Sequence, residues 1–162
     1  MKILDFKIHS EERLDVLLAD CIELLFQRQR ENPEYWGLVS AALMDPDDVI
    51  VFGVNHVTKD GTRKHAERVA MENYQDKFGR IPPGCIIVTT LSPCSSDDMK
   101  ERWGESCTLM LDRSPISKVY AGWADPTQID TDHYRHKRFR VKSTKNPKLR
   151  ELCKKIGEII IR

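Results

Sequence analysis

No stretch of the chain approaches the ~20 consecutive apolar residues that a membrane-spanning helix needs, so the sequence predicts no membrane partner. Charge of a single sign is lacking as well. Lys and Arg number 26 against 25 Asp and Glu, a formal net charge of +1, and so small an excess exerts no strong global pull toward nucleic acid or a lipid surface. There is no internal repeat and no low-complexity tract. An even set of cysteines is missing too: they sit at Cys21, Cys85, Cys94, Cys107 and Cys153. That odd, scattered set argues against a disulfide framework and leaves thiols for metal use. The opening Met1-Lys2-Ile3-Leu4-Asp5 turns acidic where a signal peptide would run apolar, so the expectation is a cytoplasmic protein.

What is present is ordinary soluble composition, 40% apolar and 31% charged. A length of 162 residues predicts one domain, residues 1–162, with material for a sizeable core. Hydrophobic periodicity orders it. Residues 1–9 alternate weakly through Ile3, Phe6 and Ile8, an extended lead-in. Ser10 is placed as an N-cap ahead of Glu11 and Glu12. Leu14, Leu17, Leu18, Cys21, Ile22 and Leu25 then recur at helical spacing, predicting a helix that ends before Pro33.

Leu38 to Met44 and Val49 to Val54 read as two strands joined by the turn Asp45-Pro46-Asp47-Asp48. Asn55 to Lys64 reads as a polar loop with Gly61, followed by a helix from about His65 to Phe78 with Ala66, Val69, Ala70, Asn73 and Tyr74 facing inward or nearly so. Gly79 and Pro82-Pro83-Gly84 end it. The continuous apolar run Cys85 to Thr90 suits a strand covered on both faces. A short helix is predicted over Cys107 to Asp112, a strand over Lys118 to Gly122, and a polar, basic segment over 127–145. Asn146-Pro147 opens a last helix with Leu149, Leu152, Cys153 and Ile156 on one face; Glu158 to Ile161 extends it or forms a strand. This order argues a layered α/β domain.

The chemistry gathers on His65-Ala66-Glu67, Pro93-Cys94 and Cys107. One imidazole and two thiolates suit a tetrahedral zinc whose fourth position is left for water, and water on zinc loses its proton near neutral pH. Glu67 is not needed as a ligand and is free to move protons. In mid-helix, positions two apart do not share a face, so His65 and Glu67 converge only if His65 lies at or just before the first turn. Singly, each feature has a bland reading: a buried structural cysteine after a strand is common. Together they open a helix after a hairpin and follow an apolar strand, the layout of a site at the strand ends of an open α/β sheet.

His-x-Glu with Pro-Cys is the signature of zinc nucleobase deaminases, and the chain resembles the cytidine deaminase-like superfamily over roughly residues 38–126. The resemblance implies a three-layer α/β/α sandwich around a mixed sheet of about five strands, with residues 127–162 as a basic segment and flanking helix. The usual second element there is Pro-Cys-x-x-Cys, and this sequence departs from it: Asp97 stands where the second cysteine is expected. Either Asp97 replaces the thiolate, since zinc accepts carboxylate oxygen, or an insertion has moved the cysteine to Cys107. In tRNA adenosine deaminases and their relatives the second cysteine opens a helix that ends at a small residue, followed by Ile, a basic residue, a short strand, Gly and Asp-Pro. Cys107, Ser114, Ile116, Lys118-Val119-Tyr120, Gly122 and Asp125-Pro126 fit that frame without a gap. The resemblance therefore makes Cys107 the third ligand and residues 95–106 an insertion, an interval that riboflavin-pathway deaminases also widen.

The same resemblance gives Zn²⁺ held by His65, Cys94 and Cys107, with Glu67 as general base and acid. It places Asn55 against the substrate base, where the alternative is a turn residue ending a strand, and backbone near Ala66 and Pro93 at the base edge. Ser92-Pro93-Cys94 resembles cytidine and cytosine-editing enzymes, so the implied substrate is cytosine in cytidine, deoxycytidine or their nucleotides. Two other readings stay open: a deaminase of single-stranded nucleic acid that uses the basic, aromatic segment 133–142, and a non-catalytic zinc module. Within the insertion, Trp103 either stacks a base or anchors its own loop. Relatives are commonly homo-oligomers. Cys21, Cys85 and Cys153 fall in apolar patterns and read as core.

Overall fold

The structure is a computed structural model that describes residues 11–33, 38–57, 63–93, 107–124 and 138–161. The lead-in 1–9, Ser10, Gly61, Cys94, Asp97, Trp103, the insertion 95–106, Asp125-Pro126 and residues 133–137 lie outside them.

The first helix, α1 (Glu11–Glu31), buries the predicted stripe Leu14, Leu17, Leu18, Cys21, Ile22 and Leu25. Acidic residues in its first turn and Arg28 and Arg30 in its last complement its dipole. Strands β1 (Ser40–Met44) and β2 (Ile50–Val54) form the predicted antiparallel hairpin, with Met44 opposite Ile50. Its turn is held by Asp45: Oδ1 accepts the Asp47 and Val49 N–H groups at 2.9 Å each, and Oδ2 accepts the Tyr74 hydroxyl at 2.7 Å. Burial, with Asp45 beside it, pushes the Tyr74 hydroxyl up to about 12. The segment read as a polar loop contains a two-residue ladder, β3 (His56–Val57) with β4 (Arg63–Lys64).

Helix α2 (Ala66–Phe78) ends at Gly79, whose φ of 85° is the left-handed conformation glycine supplies without strain. Strand β5 (Ile86–Leu91) follows, then α3 (Cys107–Asp112), β6 (Lys118–Trp123), β7 (Arg140–Ser143) and α4 (Pro147–Ile161). Residues 158–161 belong to α4 rather than to a strand.

The five-stranded sheet has the order β2-β1-β5-β6-β7 and is mixed: β1 pairs antiparallel with β2 and β5, while β5, β6 and β7 run parallel. Strand periodicity of two divides its side chains between two cores. Ala41, Leu43, Ile87 and Val119 pack with Ala66, Ala70 and Tyr74 of α2 and Leu111 of α3. Ala42, Met44, Ile86, Val88 and Tyr120 pack on the other face with Leu14, Leu18 and Ile22 of α1 and Cys153 of α4. The result is the three-layer α/β/α sandwich. Cys21, Cys85 and Cys153 are buried in these cores, and burial pushes each thiol up to about 12, as befits packing residues that stay protonated.

One expectation needs correction. Asn73 does not face inward: it is exposed and donates to the Phe52 carbonyl at 3.0 Å, while Met71 takes the buried place. The polar, basic segment 127–145 contributes the edge strand β7. Phe139, 1% exposed, enters the core beside it, whereas Arg138 and Arg140 stay exposed and Lys142 pairs with Glu11.

One glycine sets the position of the site. A Cβ on Gly53 would lie 2.3 Å from the Ala70 backbone nitrogen and 2.7 Å from the Ala66 carbonyl oxygen. Gly53 therefore lets β2 run directly against the first turns of α2. Gly53→Ala is expected to destabilise the fold by roughly 1–3 kcal/mol, the range for overpacked cores, read as a lower urea midpoint. An unchanged midpoint would show that the two elements do not approach this closely.

Candidate active site

Parallel strands β5 and β6 end together, with Leu91 opposite Trp123 and the Ser92 N–H donating to the Trp123 carbonyl at 2.9 Å. The N-terminal ends of α2 and α3 bring their first residues to one place. His65 is the N-cap of α2, with extended backbone at φ −71° and ψ 156°. Its carbonyl accepts the Val69 N–H at 3.0 Å, and its side chain makes no capping bond. The imidazole is thus not used in ending the helix and turns toward α3. This is the geometry by which His65 and Glu67, two residues apart, converge.

The His65 Nδ1 lies 3.0 Å from the Cys107 Sγ. Glu67, in the first turn of α2 and 3% exposed, places Oε2 3.6 Å from the same sulfur. One donor atom from each of His65, Glu67 and Cys107 falls within 4.8 Å of the others. A buried carboxylate, an imidazole and a thiol share so small a volume most favourably around a cation, which offsets the desolvation of the ionised forms. Zinc bonds of about 2.3 Å to sulfur and about 2.0 Å to nitrogen at a tetrahedral angle put those donors roughly 3.5 Å apart. The His65–Cys107 separation is slightly shorter, so the donor set fits zinc with little movement. Cys94, the other sequence-predicted ligand, lies outside the described residues, directly after Pro93, which is buried.

Ala66 is fully buried between His65 and Glu67. Asn55 follows β2 and grips the chain leading into β1: its N–H donates to the Val39 carbonyl at 3.1 Å and its Oδ1 accepts the Val39 N–H at 2.7 Å. It also lines a cavity of about 390 Å³ together with Arg28, Asn32, Phe52, His56 and Val69. His65, Glu67 and Cys107 are not among that cavity's walls.

Sequence reasoning passed over one residue here. Thr89 of β5 is wholly buried, and its hydroxyl lies 3.3 Å from the Glu67 Oε1. The signal was a polar side chain closing the apolar run Ile86-Ile87-Val88.

Solved structures share the architecture. A diaminohydroxyphosphoribosylaminopyrimidine deaminase/5-amino-6-(5-phosphoribosylamino)uracil reductase of Thermotoga maritima superimposes with a TM-score of 0.67 at 23% identity, over 94% of this chain and 41% of its own. RibD of Acinetobacter baumannii gives 0.63 at 18% identity, over 94% and 40%. The chain therefore spans about two fifths of the length of both. The dCMP deaminase of cyanophage S-TIM5, in complex with dCMP and dUMP, gives 0.55 at 20% identity, over 82% of this chain and 96% of its own. At these identities the likeness is one of fold. No curated protein matches the chain in sequence. The family described as the cytidine and deoxycytidylate deaminase zinc-binding region matches residues 17–123, beginning inside α1 and so ahead of the 38–126 read from the motifs. With most of its length so matched, and with the helix–sheet layering of the superfamily, the chain belongs to the cytidine and deoxycytidylate deaminase zinc-binding family.

Proposed function

We propose that the chain, with residues 1–162 as one catalytic unit, is a zinc-dependent hydrolytic deaminase of an amino-substituted nucleobase. Cytosine in cytidine, deoxycytidine or their nucleotides is the favoured substrate. The observation that carries this is the buried Glu67 carboxyl set against the paired His65 and Cys107. A purely structural metal site has no use for a general base at that place.

His65, Cys107 and Cys94 would hold the zinc. When bound, zinc supplies Lewis acidity that makes a water acidic enough to lose its proton near neutral pH. Glu67 accepts that proton at Oε2, the oxygen turned toward Cys107. The water oxygen adds to the ring carbon bearing the amino group. Glu67 then delivers that proton to the adjacent ring nitrogen, takes the proton of the hydroxyl now on the ring carbon and passes it to the departing amine, so that the C–N bond breaks, a carbonyl forms and ammonia leaves. The positive end of the α2 dipole favours the negative charge on Glu67 in its first turn.

The Ser92-Pro93-Cys94 sequence supports cytosine. A second reading has its own support. The interval 95–106 is wide, as in riboflavin-pathway deaminases, and the Thermotoga maritima neighbour is named for a phosphoribosylaminopyrimidine. The test is metal analysis combined with ammonia release. The panel is cytidine, deoxycytidine, their monophosphates, adenine and guanine compounds, a phosphoribosylaminopyrimidine and single-stranded DNA. About one zinc per chain and ammonia from a cytosine compound are expected. Ammonia only from the phosphoribosylaminopyrimidine selects the second reading, and only from DNA the polynucleotide one. A zinc-loaded protein that releases none on the whole panel would overturn the deaminase reading.

A further inference from the structure

We propose that Thr89 is a positioning residue for deamination, its hydroxyl holding the Glu67 carboxyl so that Oε2 faces His65 and Cys107. The inference rests on the deaminase reading for its kinetic consequence, though not for its geometry.

The site gives the two oxygens of Glu67 different neighbours. Oε2 lies 3.6 Å from the Cys107 Sγ, and Oε1 lies 3.3 Å from the Thr89 Oγ1. A glutamate side chain turns easily about its last torsion, where rotamer wells are broad. Burial alone does not select one direction for its carboxyl plane. A contact on Oε1 from the sheet side does, because it fixes the end opposite the metal-binding donors. Thr89 is well suited to this. It is 0% exposed, lies on β5 with its register fixed against β1 at Ala41 and against β6 at Ala121, and is β-branched, so its χ1 is stiff.

The hydroxyl also lies 2.9 Å from the Leu91 carbonyl on its own strand. It carries one proton and two lone pairs. Donating to Leu91, it turns a lone pair toward Oε1; rotated, it presents its proton there. The ionised Glu67 carboxylate is held in the second arrangement, with the hydroxyl proton on Oε1, because a lone pair facing a carboxylate oxygen does not bind it. A hydroxyl serving only to satisfy itself inside the sheet would need the Leu91 carbonyl and nothing more. The approach to Glu67 is the feature that role leaves unexplained.

Thr89→Val keeps the shape and β-branching while removing the hydroxyl; Thr89→Ser keeps the hydroxyl. Crystal structures of the zinc-loaded parent and both variants are the first arm. Glu67 is expected to hold one carboxyl orientation in the parent and in Thr89→Ser, and to turn or split in Thr89→Val. An unmoved Glu67 in Thr89→Val would overturn the proposal. The second arm is kinetics on the best substrate of the panel. The Thr89→Val kcat is expected to fall about tenfold, as a general base loses alignment, with KM within twofold, zinc content and thermal midpoint retained, and Thr89→Ser within threefold of the parent. Equal kcat in parent and Thr89→Val, or loss in Thr89→Ser equal to that in Thr89→Val, would overturn it. If Thr89→Val does not fold, Thr89→Ala takes its place with the same expected outcomes. A parent that deaminates nothing sinks the functional reading, while the structural arm still decides whether Thr89 orients Glu67.

Discussion

Glu67→Gln is expected to lower turnover by roughly 10²–10⁴-fold, the usual contribution of a positioned acid–base group, while zinc content stays at the parent's level. The substitution is chosen because Glu67 is only 3% exposed. Truncation to alanine would remove volume from a packed position and mix stability with chemistry. Glutamine fills the same space and keeps an oxygen for the Thr89 hydroxyl, but it cannot accept and return a proton near neutral pH. Loss of the negative charge from the first turn of α2 removes at most about 2 kcal/mol of dipole stabilisation, a modest change in the thermal midpoint. The signature is therefore a collapse of kcat with metal and fold intact. Turnover within a few fold of the parent in Glu67→Gln would remove the proton-transfer role and leave the carboxyl as a neighbour of the metal donors only.

The contrast between Glu67 and Thr89 shows what the sequence could and could not convey about the site. His65-x-Glu67 is legible because two chemically demanding residues sit at fixed spacing where a helix begins, and a helix start can be read from the loop before it. Thr89 reaches Glu67 across the layers, from β5 to α2, and no local spacing encodes that contact. Cys107 was legible only through the frame that follows it, since Asp97 occupies the expected position. Asn55 was left with two readings, and its grip on Val39 is the strand-ending one in physical form, while its place in a cavity wall keeps it beside open space.

The fold divides in the same way. Helix α1 and strand β5 were readable because their apolar periods persist over enough residues to exclude alternatives. Strand β7 was not. It is four residues long, at the sheet edge, with burial alternating between exposed and intermediate and with basic side chains on its open face. Its one strong marker, Phe139, precedes the strand and lies inside a run of basic residues that reads as solvated. The two-residue ladder β3–β4 carries too little pattern for any period to register.

Cys107→Ser is expected to abolish zinc retention and deamination together, whereas Asp97→Asn keeps both. The uninterrupted frame from Cys107 to Asp125-Pro126 motivates the assignment, and the 3.0 Å approach of the Cys107 sulfur to the His65 Nδ1 supports it. Softer thiolate ligands also select zinc over the hard divalent cations that carboxylates favour. A serine hydroxyl in place of the thiol is a neutral donor that rarely ionises near pH 7, so the site loses one of the negative charges that balance the metal. Losing a group that merely supports a ligand costs about 10–100-fold in metal affinity; losing the ligand itself is expected to exceed that. The thermal midpoint separates metal loss from damage to the core. Zinc bound to the folded state raises the midpoint with the logarithm of its affinity, so chelation lowers the parent's midpoint and that of Asp97→Asn. Cys107→Ser should melt near the chelated parent and show no shift on adding zinc. A Cys107→Ser protein that keeps about one zinc per chain, or an Asp97→Asn protein that loses it, would transfer the third position to the carboxylate and displace the whole register of the 107–126 segment against the family.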